Sequence, residues 1–204
     1  AIVDPELTLT LPPTQTAYSG LDALVQAIEA YTSIGANPFS DPIAEDATAR
    51  IAGSLVRAFE DGADVAARED MALGSLFAGL ALASARLGLV HGLAHPIGVL
   101  YHLPHGQVCG MLMPYVMEYN LEAAGERYAR LAERVGAGST AADLPAWFRD
   151  LSAQVALPDV FGPFGLTEGD FDSIIPPTLA SGSSKHNPRK VTEADLREML
   201  PKML

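Results

Sequence analysis

The sequence has a single cysteine, Cys109, and no pattern of a secretory signal peptide. One cysteine cannot form an intramolecular disulfide, so this composition favours a reducing cytoplasm. No run of about eighteen apolar residues lacks a break or a charge, which argues against a membrane-spanning helix. Basic residues are also scarce, because 13 Lys and Arg face 25 Asp and Glu, for a formal net charge of -12. Nucleic acid is therefore not an expected partner, since phosphate binding needs clustered basic side chains.

Two architectural patterns are missing as well. No glycine-rich turn follows a strand, and no alternation of strands and helices would build the parallel sheet of a dinucleotide-binding domain. The sequence contains no repeat with a period of about 20 to 50 residues, so it does not predict a solenoid. The 204 residues are instead 49% hydrophobic and 19% charged. This composition, rich in Ala and Leu, predicts one all-α globular unit, with or without a small C-terminal lobe.

The chemistry-bearing residues are concentrated in HGLAHPIGVLYHLPHGQVCG, residues 91 to 110, which hold four of the five histidines. His91 and His95 are four residues apart, so a helix would place both imidazoles on one face. His105 follows a Leu-Pro break that ends this helix. It is predicted in a loop or at the start of the next helix, where it can fold back toward the pair. Converging imidazoles favour zinc, iron, copper or nickel.

Histidine pairs of this spacing also occur in helix cores without a metal, so a carboxylate ligand is needed to support a metal site. The zinc-peptidase pattern is excluded, because no glutamate lies between His91 and His95. The best candidate ligand is Asp22, in the segment SGLDALVQAIEAY, where apolar residues recur at helical spacing around it. A carboxylate buried among them needs a cation or a metal. The alternative for Asp22 is a charge near a helix N-terminus that the dipole favours.

Four segments, SGLDALVQAIEAY, LGLVHGLAHPIG, LPHG and NPRKVTEADL, resemble in this order the C-terminal helical domain of the iron-containing alcohol dehydrogenases. The resemblance covers nearly the whole chain. It implies an all-α helical bundle of the dehydroquinate synthase-like, iron-containing alcohol dehydrogenase fold. Residues 1–17 would form an interdomain connection and residues 18–204 the metal-binding domain. The N-terminal dinucleotide-binding domain of the family is absent from this sequence and would be its partner.

The same resemblance implies a set of site residues. The metal ligands of the family fall on Asp22, Gln26, His91 and His105, and His95 matches a histidine near the nicotinamide and the proton path. His102 matches no ligand. The implied cofactors are a divalent iron or zinc ion and NAD(P), the latter bound mainly by the N-terminal domain. The implied partners are a small alcohol or aldehyde substrate and further copies of the chain in a homo-oligomer such as a dimer.

Gln26 departs from the family pattern, because the best-known iron enzymes have histidine at this place. Its amide oxygen is a neutral and harder donor than imidazole. The site can therefore bind zinc through Asp22, His91 and His105, keep iron, or be empty. The resemblance implies an NAD(P)-linked alcohol dehydrogenase or aldehyde reductase when complete, with the isolated chain inactive. The alternatives are a relative such as glycerol dehydrogenase or dehydroquinate synthase, and a metal-binding module without catalysis.

The sequence also predicts where the structural elements lie. An extended entry is expected at Val3 to Leu11, and Pro114 is expected to kink a helix or delay its start. Ala and Gly in the helix after Asp64 predict that it is buried on all sides. The polar loop at residues 181–191 is placed near the active site by the resemblance. Nine helices are predicted: one that ends near Tyr31, three that begin near Ser40, near Asp64 and after His105, one around His91, and four at Leu121 to Gly136, Ser139 to Val155, Thr167 to Ile175 and from Thr192 onward. Thr192 is expected to cap the last helix, in an imperfect capping box with Asp195.

Overall fold

The computed structural model describes residues 2–204, and this part of the chain contains eight α-helices and no β-strand. The all-α prediction is confirmed. The helices are α1 (Pro13–Thr32), α2 (Ser40–Glu60), α3 (Val65–Ala85), α4 (Leu89–Tyr101), α5 (His105–Val135), α6 (Asp143–Gln154), α7 (Phe171–Ala180) and α8 (Glu193–Met199). Short 3₁₀ turns lie at Pro5–Thr8, Gly162–Phe164, Glu168–Asp170, Ser184–His186 and Leu200–Met203.

Helix α1 lies at the centre of the bundle and packs against α2, α3 and α5. Its side chains Leu21, Leu24 and Ile28 are completely buried. Burial of each such side chain stabilises the fold by about 1.5–3 kcal/mol. Asp22 lies near the middle of α1, next to Gly106 of α5, so the packed core fixes the position of this predicted ligand.

Helices α4 and α5 meet at the Leu-Pro break that the sequence predicts. Helix α4 ends at Tyr101, His102 caps it in the left-handed conformation with φ of 53°, and α5 begins at His105. The two helices pack against each other, and α4 also packs against α7. His102 is exposed.

Three sequence-based expectations about the type, continuity or burial of the elements are wrong, apart from the bounds of two C-terminal helices. The N-terminal segment is not extended, because Asp4 caps a 3₁₀ turn that starts with Pro5. Residues 105 to 135 form one helix rather than two, and this helix begins at His105 rather than late, at Pro114. A proline inside a helix removes one hydrogen bond, and in this case burial of the surrounding side chains outweighs that loss. Nothing between Asn120 and Leu121 breaks the helix.

Helix α3 is not buried on all sides, which is the third difference. Its buried face consists of small residues such as Gly74, Ala78 and Ala81, and Leu80 on the other face is 45% exposed. Small side chains on the inner face allow close approach to α1 and α2. The predicted capping box of α8 is confirmed, since Thr192 and Asp195 exchange both of its hydrogen bonds.

Two C-terminal helices differ from the predicted bounds. Helix α6 is shorter than predicted, and α7 runs on to Ala180 through Pro176 and Pro177. No single helix among residues 2–204 is both long and apolar enough to cross a membrane. The α3 and α4 pair meets the length and composition criteria only when joined, with a bend of 108° between the two helices.

Candidate metal centre

Three of the four predicted metal ligands converge from three different helices. Asp22 lies on α1, His91 on the first turn of α4 and His105 at the first residue of α5. Oδ1 of Asp22 is 3.4 Å from Nε2 of His91 and 3.6 Å from Nε2 of His105. The expectation that His105 starts the next helix and folds back toward His91 agrees with this geometry.

Gln26, the fourth predicted ligand, makes a different contact. It lies one turn after Asp22 on α1, and its Nε2 donates a hydrogen bond of 2.9 Å to Oδ2 of Asp22. The amide group therefore holds one carboxylate oxygen and leaves the other, Oδ1, directed toward the histidines. That Gln26 binds a metal stays a prediction, whereas its hydrogen bond shows that it orients the carboxylate of Asp22.

Oδ1 of Asp22 is buried and has no hydrogen-bond partner among residues 2–204. The two imidazole nitrogens near it lie at ion-pair distances rather than at hydrogen-bond distances. An unsatisfied buried carboxylate oxygen costs free energy, unless a cation binds to it. Together with two imidazoles, this oxygen fits the donor set of a divalent transition metal.

Cys109 is a site residue that the sequence reasoning missed. Its side chain is completely buried, and its Sγ lies 3.4 Å from Nε2 of His105 and 4.0 Å from Nε2 of His91. The ligand atoms of Asp22, His91, His105 and Cys109 all lie within 4.8 Å of one another. The spacing of four residues between His105 and Cys109, which puts both on one face of a helix, could have revealed it.

Glu29 is the second residue that was missed. It is only 3% exposed, and its Oε2 lies 2.6 Å from Nδ1 of His91. Its Oε1 accepts a hydrogen bond of 2.6 Å from the backbone N–H of Val90. A Cβ on Gly88 would lie 2.8 Å from Oε1 of Glu29, so glycine at this position leaves room for the carboxylate. Its spacing of seven residues from Asp22, two helical turns, places both acids on one face of α1.

The charges of the cluster shift its pKa values strongly. Burial alone would raise the pKa of Asp22, but the neighbouring imidazoles outweigh this effect and the pKa lies below its usual value. Burial alone would lower the pKa of His91, but contacts with Asp22, Cys109 and Glu29 raise it to about 12. Burial lowers the pKa of His105 and raises that of Cys109 to about 11. The two carboxylates therefore favour the protonated form of His91, and a bound metal ion would replace its proton.

His95, the predicted catalytic residue, lies outside the cluster of four ligand atoms. It is exposed on α4, and its ring centroid is 5.7 Å from that of His105. It borders an open groove with mainly apolar walls, which include Pro96, Val99 and Pro177. His95 is therefore in contact with solvent and also close to His105, one of the candidate ligands.

The loop after α7 is tied to the N-terminus of α4, as the resemblance implies for a segment near the site. Oδ1 of Asn187 accepts hydrogen bonds from the backbone N–H of Leu89 and from Nδ2 of Asn120, at 3.2 Å and 3.0 Å. Nδ2 of Asn187 donates a hydrogen bond of 2.7 Å back to Oδ1 of Asn120. These bonds fix the first turn of α4, on which His91 lies.

The chain is similar to known proteins along nearly its whole length. Residues 16–204 match the family model described as Fe-containing alcohol dehydrogenase family, C-terminal. The chain is 40% identical over 206 residues to the 1,3-propanediol dehydrogenase of Citrobacter freundii, an alignment that covers 98% of this chain and 53% of that protein. It is 38% identical over 205 residues to the long-chain-alcohol dehydrogenase 1 of Geobacillus thermodenitrificans, covering 97% and 52%.

Solved structures give the same result. The alcohol dehydrogenase from Oenococcus oeni superposes with a TM-score of 0.96 at 36% identity, over 98% of this chain and 54% of that one. A crystal structure of 1,3-propanediol oxidoreductase gives a TM-score of 0.95 at 37% identity, over 98% and 55%. The chain thus spans about half the length of the relatives it matches.

Proposed function

This chain belongs to the Fe-containing alcohol dehydrogenase family, whose C-terminal domain it matches, and from that premise we propose that it is the metal-binding half of an NAD(P)-linked alcohol dehydrogenase or aldehyde reductase. The observation that carries the proposal is the convergence of Asp22, His91 and His105 from three helices, around a buried carboxylate oxygen that has no hydrogen bond to residues 2–204.

Asp22, His91 and His105 would hold a divalent iron or zinc ion, with Gln26 as a fourth or an outer ligand. When bound, the ion supplies Lewis acidity that polarises the oxygen of an alcohol or a carbonyl group. Gln26 holds Oδ2 of Asp22, and Glu29 holds Nδ1 of His91. Both contacts direct the free donor atoms toward one point, as outer partners of metal ligands commonly do.

His95 would move the proton that the reaction releases or takes up. An imidazole changes its charge near neutral pH, and this one lies between the cluster and solvent. Val99 and Pro177 beside it present apolar surface, which would exclude water from the carbon chain of a small alcohol or aldehyde substrate.

The other half of the reaction requires a second domain. NAD(P) would be bound mainly by an N-terminal nucleotide-binding domain, joined through residues 1–17. This assignment is consistent with the chain spanning about half of its relatives. The 204-residue chain alone is expected not to oxidise alcohols. Assembly as a homo-oligomer and location in the cytoplasm stay predictions from the sequence.

Elemental analysis of the purified protein tests the proposal, with iron and zinc both present during growth. We expect a stoichiometric ion in the parent protein and its loss in Asp22→Ala and His91→Ala variants. His95→Ala is the matched control and is expected to keep the ion, because His95 lies outside the cluster. A parent protein that contains no metal and cannot be loaded with iron or zinc would overturn the proposed centre.

A further inference from the structure

We propose that Cys109 is the fourth protein ligand of the metal and binds it as a thiolate, so that the site consists of an aspartate, two histidines and a cysteine. The inference rests on the proposed function, since it assigns the donor set of the same centre. Its consequence is a preference for zinc over harder divalent ions, because thiolate is a soft ligand.

The distances between the donor atoms carry the argument. Zinc binds oxygen and imidazole nitrogen at about 2.0–2.1 Å and thiolate at about 2.3 Å, so tetrahedral ligand atoms lie roughly 3.3–3.6 Å apart. The separation from Sγ of Cys109 to Nε2 of His105 is 3.4 Å. The separations of Oδ1 of Asp22 from the two imidazoles are 3.4 Å and 3.6 Å. The separation between Sγ of Cys109 and Nε2 of His91 is longer, at 4.0 Å. All four ligand atoms lie within 4.8 Å of one another, so one divalent ion can contact them after small side-chain shifts.

Gln26 is the competing candidate for the fourth position, and its hydrogen bond argues against it. Its Nε2 is engaged with Oδ2 of Asp22, so the group nearest to the carboxylate is a donor rather than a metal-binding oxygen. Gln26 would have to turn its amide group to present its oxygen to the ion, whereas Sγ of Cys109 already lies near the two imidazoles. Cys109 lies one turn after His105 on the same helix and is completely buried.

Cobalt(II) substitution of the full 204-residue protein tests the assignment, because a thiolate bound to Co²⁺ gives an intense near-ultraviolet charge-transfer band. Cys109 is the only cysteine in the chain, so no other residue can produce this band. We expect the band in the parent protein and in Gln26→Ala. We expect Cys109→Ser to bind Co²⁺ without the band and to bind Zn²⁺ at least ~10-fold more weakly.

The outcomes separate this inference from the proposed function. Stoichiometric Co²⁺ without a charge-transfer band in the parent would overturn Cys109 as a ligand and leave the other three in place. A parent that binds neither Co²⁺ nor Zn²⁺ would overturn the proposed metal centre itself. If Cys109→Ser does not fold, Cys109→Ala is the second variant, and the spectrum of the parent still decides.

Discussion

Glu29 and His91 form the tightest side-chain pair of the centre, with 2.6 Å between Oε2 and Nδ1. The other carboxylate oxygen accepts a hydrogen bond from the N–H of Val90, the residue next to His91. Glu29 thereby fixes both the imidazole and the backbone that carries it. With Nδ1 engaged, Nε2 is the nitrogen that faces Asp22 and Cys109. A carboxylate behind a metal-binding histidine also makes the imidazole a stronger ligand.

Glu29→Gln is expected to weaken metal binding by about 10–100-fold while the fold is kept. The amide has nearly the same shape, but it lacks the negative charge that strengthens the imidazole as a ligand. Competition with a chromophoric chelator would measure the change in Zn²⁺ affinity. Glu133→Gln, on the exposed side of α5, is the matched control with an unchanged affinity. Equal affinities of the two variants would show that Glu29 does not position His91.

Gly106→Ala should disrupt the junction between α5 and α1. A Cβ at this position would overlap the carbonyl oxygen of Tyr18 and lie 3.2 Å from Cβ of Asp22. The backbone must move apart there, so we expect a loss of about 1–3 kcal/mol of stability and loss of the metal, because His105 is the adjacent residue. Urea denaturation and elemental analysis would measure both effects.

The control for that substitution is Gly53→Ala on α2. No atom lies within 4 Å of an added Cβ there, and alanine is favoured over glycine in a helix by up to about 1 kcal/mol. This variant should be as stable as the parent or more stable, with full metal content. A Gly106→Ala protein that behaves like Gly53→Ala would refute the close packing of α5 on α1 beside the site.

A third prediction concerns the contact of α4 with the loop before α8. A Cβ on Gly92 would overlap Oγ of Ser184, and this buried hydroxyl has no hydrogen-bond partner among residues 2–204. Gly92→Ala should cost about 1–3 kcal/mol. Ser184→Ala should be nearly neutral, because it removes an unsatisfied polar group. The double variant should recover at least ~0.5 kcal/mol in a double-mutant cycle measured by urea denaturation. Strict additivity would contradict the contact.

The fourth prediction is a loss of stability in acid that arises at helix caps. Hydrogen bonds that Asp195 accepts from Thr192 lower its pKa, and the backbone N–H of Ala67 does the same for Asp64. A carboxylate with a lowered pKa stabilises the fold above its unfolded pKa of about 3.9, and this contribution disappears as pH falls through the folded pKa. Asp195→Asn should therefore be less stable than the parent at about pH 7, and the difference should shrink as pH falls below the unfolded pKa and through the folded pKa. A difference that stays constant with pH, followed by urea midpoints, would contradict this account.

Local patterns were enough to predict several parts of the molecule. The core positions of α1, the break at Leu103 and Pro104, and the cap at Thr192 each depend on residues within a few positions of one another. The errors also have local causes. The amphipathic pattern from Leu121 onward predicts a separate helix, although this segment continues α5, and the small residues of α3 predict burial on every side, although one face of α3 is exposed.

The sequence by itself determined the helical class, the family, and the candidates Asp22, His91 and His105, because residue type, helical spacing and motif order are properties of the chain alone. Only the tertiary structure decided that Glu29 contacts His91, that Gln26 holds Asp22, and that Cys109 lies beside His91 and His105. The physical reason is that these roles depend on distances between atoms from α1, α4 and α5. Such distances follow from how the three helices pack, and they cannot be calculated from the spacing of residues along one helix.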